Sequence, residues 1–296
     1  MLQSPRIRLC RLRTQGQGPK LAANLASILK ERYTPLTQHR GPCGFCGGSL
    51  LDCWRSDVFS RCQRCGFIQR TLRPSQEELD AYYETAWSQP DRFSGGTGNV
   101  NAVLAREYSR ELLHSLQRPD AQGLRILDFG AGRGALIQAL QDAGAEAYAV
   151  EPYGIEQLRE AGLIAYPTLE DLPDGLVFDG IVTMDVFEHL TRPWEDLQAL
   201  YQRLAPGGWI CISTPNPAGM RARFGGVNWD EARNPGHICF MSCSTLSSML
   251  KSAGFSRVRQ LNWHISYRRR RLRRKITQRL LMAVGLQGAA RVMAFK

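Results

Sequence analysis

Leu124-Arg-Ile-Leu-Asp128-Phe-Gly130-Ala131-Gly132-Arg-Gly134, followed by Leu136, Ile137 and Leu140 and closed by Ala147-Tyr-Ala-Val-Glu151, is the run around which the chain reads as α/β. Ile126, Leu127 and Phe129 form the short apolar stretch of a buried strand. Gly130, Gly132 and Gly134 then permit a tight turn and a close approach of backbone to ligand. Leu136, Ile137 and Leu140 recur at helical spacing and give one apolar face. Ala147 to Val150 make a second strand, which Glu151 ends. In a doubly wound sheet an acid at that position meets ribose hydroxyls, so the spacing predicts a nucleoside site. The pattern Asp-x-Gly-x-Gly-x-Gly departs from the Gly-x-Gly-x-x-Gly of dinucleotide folds.

Outward from this core the alternation of a doubly wound sheet continues. Downstream, helices are predicted at 155–161, 194–204 and 245–252. Strands are predicted at 163–166, 178–185, 209–213, 255–263 and 290–296, with Pro206-Gly-Gly ending the second of those helices. Upstream, Leu104, Tyr108, Leu112 and Leu116 mark a helix. Ser75 and Glu78 stand as a capping box before another, whose Leu79-Asp-Ala-Tyr-Tyr83 supplies aromatics to cover a ligand. Residues 91–101, rich in Gly, Ser, Thr and Asn, read as a mobile lid. Four parts result: a basic, partly disordered segment at 1–40 with a short helix at 21–32, a cysteine module at 41–73, a helical cap at 74–120, and the α/β domain at 121–296.

The module at 41–73 holds Cys43-x-x-Cys46 and Cys62-x-x-Cys65, fifteen residues apart. Each pair sets two thiolates on one turn, and the two together complete the tetrahedral shell of a zinc ribbon. Gly44 and Gly66 relieve the turns. Four sulfurs leave no open position, so the metal is structural, and its binding folds a segment too short for its own core. Cys53 is a spectator, and a redox dithiol is the competing reading. Nine cysteines without an export signal point to a reducing cytoplasm.

Net charge is +11, unevenly placed: −13 over residues 74–231 and +14 over 232–296. No apolar run is long enough to cross a bilayer. The basicity concentrates in Arg268-Arg-Arg-Arg-Leu-Arg-Arg-Lys275, followed by Ile276, Leu280, Leu281 and Val284 at helical spacing, a basic amphipathic helix over 268–284. Such a helix suits peripheral contact with an anionic membrane at its inner face. RNA is the alternative, less favoured because no aromatics interleave the cations; a solvated tract is the plain one.

The motifs resemble class I S-adenosylmethionine-dependent methyltransferases, in particular the ubiquinone-type O-methyltransferase group, from about residue 104 to 263. Asp128 with the three glycines matches motif I and Glu151 matches motif II. Phe178-Asp-x-Ile-x-x-x-Asp185-Val186-Phe-Glu188-His189-Leu matches motif IV, and Leu204-Ala-Pro-Gly-Gly a later loop. The resemblance implies a seven-stranded, mostly parallel sheet of Rossmann-like methyltransferase type, its last strand antiparallel, beside a small N-terminal zinc ribbon. It implies that Asp128 binds the cofactor's amino group and that the Gly130–Ala131–Gly132–Gly134 backbone lies along its methionine part. It also implies that Glu151 binds the ribose, that Leu169 and Glu170 border the adenine, and that Asp185 and Val186 close the strand edge beside it.

Methyl transfer needs alignment and exclusion of water, and a base only where the acceptor carries a proton. His189 and His237 are the candidates for that base, with scaffold roles as the alternative for both. Asp185, Glu188 and His189 also match an acidic-x-x-Glu-His pattern that holds a divalent cation in some relatives, although carboxylate plus imidazole suits Mg²⁺ only moderately. Thr214-Pro-Asn216 is expected to border the acceptor pocket, with Arg221, Arg223, Phe224 and Trp229 in the insert beyond. The expectation is O-methylation of a small-molecule or glycan/lipid-linked acceptor. RNA methylation and a cofactor-binding protein without turnover are the alternatives.

Overall fold

Parallel strands buried on both faces need helices above and below, and the chain supplies them in alternation. The computed structural model describes residues 41–87, 102–263, 265 and 287–296. The anticipated helix at 21–32, lid at 91–101 and basic helix at 268–284 lie outside the described residues.

Residues 41–296 form one compact unit. Its first three strands, β1 (Leu50–Cys53), β2 (Ser56–Cys62) and β3 (Ile68–Arg70), make an antiparallel meander. Helices α1 (Gln76–Trp87) and α2 (Ala102–Leu116) follow. Next come β4 (Arg125–Phe129), α3 (Ala135–Asp142), β5 (Glu146–Val150), α4 (Ile155–Glu160) and β6 (Ile164–Tyr166). β7 (Phe178–Met184), α5 (Pro193–Gln202) and β8 (Leu204–Pro215) complete the centre of the sheet. The insert carries α6 (Met220–Gly225), α7 (Asp230–Arg233) and β9 (Cys239–Phe240). The chain ends through α8 (Cys243–Ser252), β10 (Arg257–Gln260) and β11 (Ala289–Phe295).

The main sheet has seven strands in the order β10-β11-β8-β7-β4-β5-β6, with β8 through β6 parallel and β11 antiparallel to both neighbours. Alternate side chains of one strand serve opposite faces. Leu127, Ile181, Ile210 and Ile212 pack with Leu197, Leu200, Leu246 and Met249 of α5 and α8. Ile126, Val182 and Cys211 pack with Tyr108 and Leu112 of α2 and Ile137 and Leu140 of α3. Ser75 and Glu78 form the expected capping box: Ser75 N–H donates to Glu78 Oε2 at 2.9 Å and Glu78 N–H to Ser75 Oγ at 3.3 Å.

Three differences from the sequence expectation bear on how the elements pair. α5 stops at Gln202, and β8 starts at Leu204 and runs through Pro206-Gly-Gly, because Leu204 already pairs with Phe178 before a register shift brings Trp209 opposite Gly180. The strand expected over 255–263 is only Arg257–Gln260, the part that pairs with β11. The ribbon, lastly, is not self-contained. β9 from the insert pairs with β3 as a fourth strand, and Phe59, Ile68, Trp229 and Phe240 share one buried cluster edged by Trp54. Burial of each such Phe or Ile side chain contributes ~1.5–3 kcal/mol, and Trp229 and Phe240 of that cluster come from the insert.

Candidate functional site

Three parallel strands, β4, β5 and β7, end along one edge, where ligands bind in open α/β sheets. After β4 the backbone turns through Gly130 and Gly132, both with positive φ (78° and 55°), and Gly130 N–H donates to Val150 O at 2.8 Å. A Cβ on Gly130 would overlap Val186. Gly134 (φ 79°) caps α3, and a Cβ there would stand 2.6 Å from Leu163 and 2.7 Å from Leu158. Glycine here lets the start of α3 pack closely on Leu158 of α4 and on Leu163 before β6.

Beside this turn lies a cavity of about 450 Å³. Asp128, Gly130, Ala131, Gly132, Glu151, Leu169, Glu170, Asp185 and Val186 all line it, as does His189; Gly134 and His237 do not. Glu151 is aimed by two backbone donors, Gly132 N–H at 2.8 Å and Tyr153 N–H at 3.1 Å. Its carboxyl is nonetheless raised above the usual range by burial, which those bonds only offset in part. Asp128 is raised to about 7, first by burial and then by the charge of Glu151, and its Oδ2 has no hydrogen-bond partner among the described residues. Asp185, at the end of β7, is held at φ 56°, the sort of local strain that collects at ligand sites.

α1 roofs the cavity with Gln76, Leu79 and Tyr83. Tyr153 Oη donates to Asp80 at 2.6 Å and Thr191 Oγ1 to Gln76 at 3.1 Å, while the Tyr83 and Tyr153 rings lie 5.0 Å apart. Of the aromatics expected to cover a ligand, Tyr83 lines the cavity and Tyr82 does not. The contact of Tyr83 Oη with His189 Nδ1 at 2.5 Å was not legible in the sequence, since the two residues are 106 positions apart.

Around His189 the polar groups are deeply buried. His189 Nδ1 lies 2.9 Å from Gly236 O, and burial lowers its pKa to about 4. Glu188 is fully buried; Thr214 Oγ1 donates to its Oε2 at 2.9 Å, and burial holds it well above the ordinary carboxyl range. His237 stacks edge-on to His189 with ring centroids 4.6 Å apart, and its Nδ1 faces Glu231 Oε2 at 3.5 Å. Of the expected acceptor-side residues, Thr214 thus backs Glu188, Asn216 donates to Gln287 O at 2.9 Å, and Trp229 belongs to the ribbon core. Phe224 is 85% exposed. None of them lines the cavity.

Two groups of described residues bring metal-type ligand atoms within 4.8 Å of one another. One is Cys43, Cys46, Cys62 and Cys65. Its sulfurs stand 3.6 Å (Cys43–Cys65) and 3.4 Å (Cys46–Cys62) apart, close to the roughly 3.8 Å that a tetrahedral ion with 2.3 Å Zn–S bonds requires. The residues fit zinc. Cys53 is buried elsewhere, with Phe59, as a spectator. Positive φ falls at Gly47 and Gly66, each directly after its second cysteine, and not at Gly44. The other group is Glu188, His189 and His237; Asp185 is not part of it. Mg²⁺ wants six oxygen ligands, and two imidazoles with one carboxyl kept towards its neutral form do not fit that ion.

A family model described as a methyltransferase domain matches residues 100–260. A ubiquinone biosynthesis O-methyltransferase of Cereibacter sphaeroides is 35% identical over 142 residues, covering 44% of this chain and 56% of that one. One from Bordetella avium is 30% identical over 159 residues, covering 49% and 63%. The chain thus spans little more than half the length of these relatives. Among solved structures, a SAM-dependent methyltransferase of Thermotoga maritima superposes with a TM-score of 0.51 at 18% identity, over 73% of this chain and 99% of that one. That likeness is one of fold.

Proposed function

The chain belongs to the methyltransferase-domain family, and from that premise we propose that it transfers the methyl group of S-adenosylmethionine to an oxygen of a small-molecule acceptor. One observation carries the reading: two buried carboxyls, Asp128 and Glu151, face a single cavity at the carboxyl edge of parallel strands, one of them with an oxygen that has no partner among the described residues. An ammonium group satisfies Asp128 Oδ2, and vicinal hydroxyls take the lone pairs of Glu151 that Gly132 and Tyr153 leave over. Leu169 and Glu170 border the same space and suit an apolar ring with an exocyclic amine. The bound cofactor supplies an electrophilic methyl carbon on a sulfonium.

The chain's own share is alignment, exclusion of water and removal of one proton. α1 closes the cavity through Leu79 and Tyr83. Asp128 and Glu151 would hold the cofactor, which would give its methyl group to the acceptor oxygen and keep the carbon–sulfur electron pair. The acceptor's proton passes to His189, which its burial keeps neutral at pH 7. His237, outside the cavity, packs behind His189 as scaffold. The four cysteines hold structural zinc. An oxygen acceptor is favoured because relatives 35% and 30% identical to this chain bear O-methyltransferase names.

Calorimetry with S-adenosylhomocysteine tests the site. Glu151→Ala is expected to weaken binding by about 30-fold or more, the loss of two charge-assisted hydrogen bonds; unchanged affinity would refute the assignment. His189→Gln should bind within twofold of wild type yet lose about 10²-fold in turnover on a panel of phenol and sugar-hydroxyl acceptors. Binding without methylation of any acceptor would favour a cofactor-binding protein that does not turn over.

A further inference from the structure

One arginine connects the cysteine ribbon to the histidine that lines the cavity. Arg70 ends β3, five positions after Cys65. Its guanidinium lies over the Phe59 ring, 4.7 Å from the centroid. From there it donates to three backbone carbonyls of the insert: Nε to His237 O at 3.0 Å, and Nη2 to Asn234 O at 3.0 Å and Ala232 O at 3.2 Å. Its own N–H donates to Ile238 O at 2.8 Å, and β9 pairs with β3 immediately beyond. The turn at 234–238 is therefore tied to the ribbon by side chain and main chain together.

That turn carries the group that decides where His189 holds its proton. Gly236 O lies 2.9 Å from His189 Nδ1. A carbonyl can only accept, so this contact places the hydrogen on Nδ1; Tyr83 Oη, 2.5 Å from the same nitrogen, then accepts a share of it and turns its own hydrogen to Gly236 O at 3.4 Å, and Nε2 keeps the lone pair. The N–H that shares a peptide with Gly236 O, that of His237, donates to Asn234 O at 3.1 Å, the oxygen Arg70 Nη2 also holds, while Gly236 N–H donates to Asn234 Oδ1 at 3.0 Å. The approach needs glycine: a Cβ at position 236 would sit 2.7 Å from Tyr83 Oη and 3.1 Å from Tyr82 Cε1.

We propose that Arg70 is a positioning residue: by clamping the 232–237 turn it fixes the Gly236 carbonyl against His189 and so selects the Nδ1–H tautomer. The zinc ribbon thereby sets which nitrogen of the site is basic. This rests on the reading of His189 as proton acceptor, and the two can fail separately.

The test uses the full-length, zinc-loaded protein labelled with ¹⁵N-histidine, in which long-range ¹H–¹⁵N correlations report each tautomer and His189→Gln assigns the signal. Wild type should show His189 protonated on Nδ1 alone. Arg70→Ala should populate the Nε2–H form and lower turnover by about 10²-fold, with S-adenosylhomocysteine affinity within twofold and zinc retained. Arg70→Lys keeps the charge but cannot fork across three carbonyls, and should shift the tautomer likewise; it carries the test should the alanine variant lose its metal. An unchanged Nδ1–H tautomer in the folded variants overturns the clamp. If His189→Gln turns over at the wild-type rate while Arg70 variants still shift the tautomer, the clamp stands and the assignment of the base falls.

Discussion

Asp128, 3% exposed at the end of β4, titrates at about 7, against an ordinary 3.8, because burial and then the charge of Glu151 disfavour its ionised form. In the unfolded chain this group loses its proton near pH 4, whereas the folded chain keeps it to about 7. Folding therefore takes up a proton between those values, and the associated stability is full below about pH 4 and declines as pH rises through 7. The shift corresponds to ~4 kcal/mol at most. Asp128→Asn should flatten the stability profile of the ligand-free protein between pH 4 and 8 and raise its Tm at pH 8, which scanning calorimetry would reveal; an unaltered profile contradicts the burial argument. A ligand ammonium reverses the preference, so S-adenosylhomocysteine should bind more weakly as pH falls below 7, with proton release that the Asn variant lacks. Asp128, the glycines and Glu151 could be read from sequence because all lie within one strand–turn–helix–strand unit. Arg70, which clamps a carbonyl 167 positions away, and the Tyr83–His189 contact could not.

At the scale of elements, local pattern located the helices and strands of the main sheet, though not the strands of the ribbon or the short α6, α7 and β9 of the insert, and tertiary pairing moved their ends. β8 begins five residues before the expected start because Leu204 finds a partner in Phe178, a choice no periodicity within 204–208 expresses. The β1–β2 hairpin is a second case. Its two-residue loop, Trp54-Arg55, has positive φ at both positions (57° and 54°), as a right-twisted hairpin demands. Neither residue favours that conformation, which costs about 1–2 kcal/mol per residue for an L side chain. Trp54 is held there by edge-on contact with Phe59, Trp229 and Phe240. Among the described residues Arg55 has no such ring contact to offset it. Arg55→Gly should accordingly stabilise the chain by ~1 kcal/mol, seen as a shift of the urea midpoint without change of slope; destabilisation would show that Arg55 contributes more than its backbone costs.

For the molecule as a whole, the ribbon and the α/β domain share material. Cys43, Cys62 and Phe67 pack in the same cluster as Leu246 and Met249 of α8, and β9 leaves the insert to finish the ribbon sheet. Zinc held by Cys43, Cys46, Cys62 and Cys65 would then stabilise more than its own knuckles. Cys43→Ser should lose the metal and lower the Tm of a single cooperative transition; a separate low-temperature transition, with the main one unmoved, would mean that the ribbon melts as an independent module. The sequence by itself determined the doubly wound class, the cofactor-type turn with its two acids, and the four thiols, because each is written in residues close together along the chain, where strand alternation, helical period and knuckle spacing act. Only the tertiary structure decided that the ribbon sheet needs a strand from the insert, that His189 and not His237 lines the cavity, and that the Gly236 carbonyl meets His189. Those depend on contacts between segments far apart in sequence, which burial brings together and no local period records.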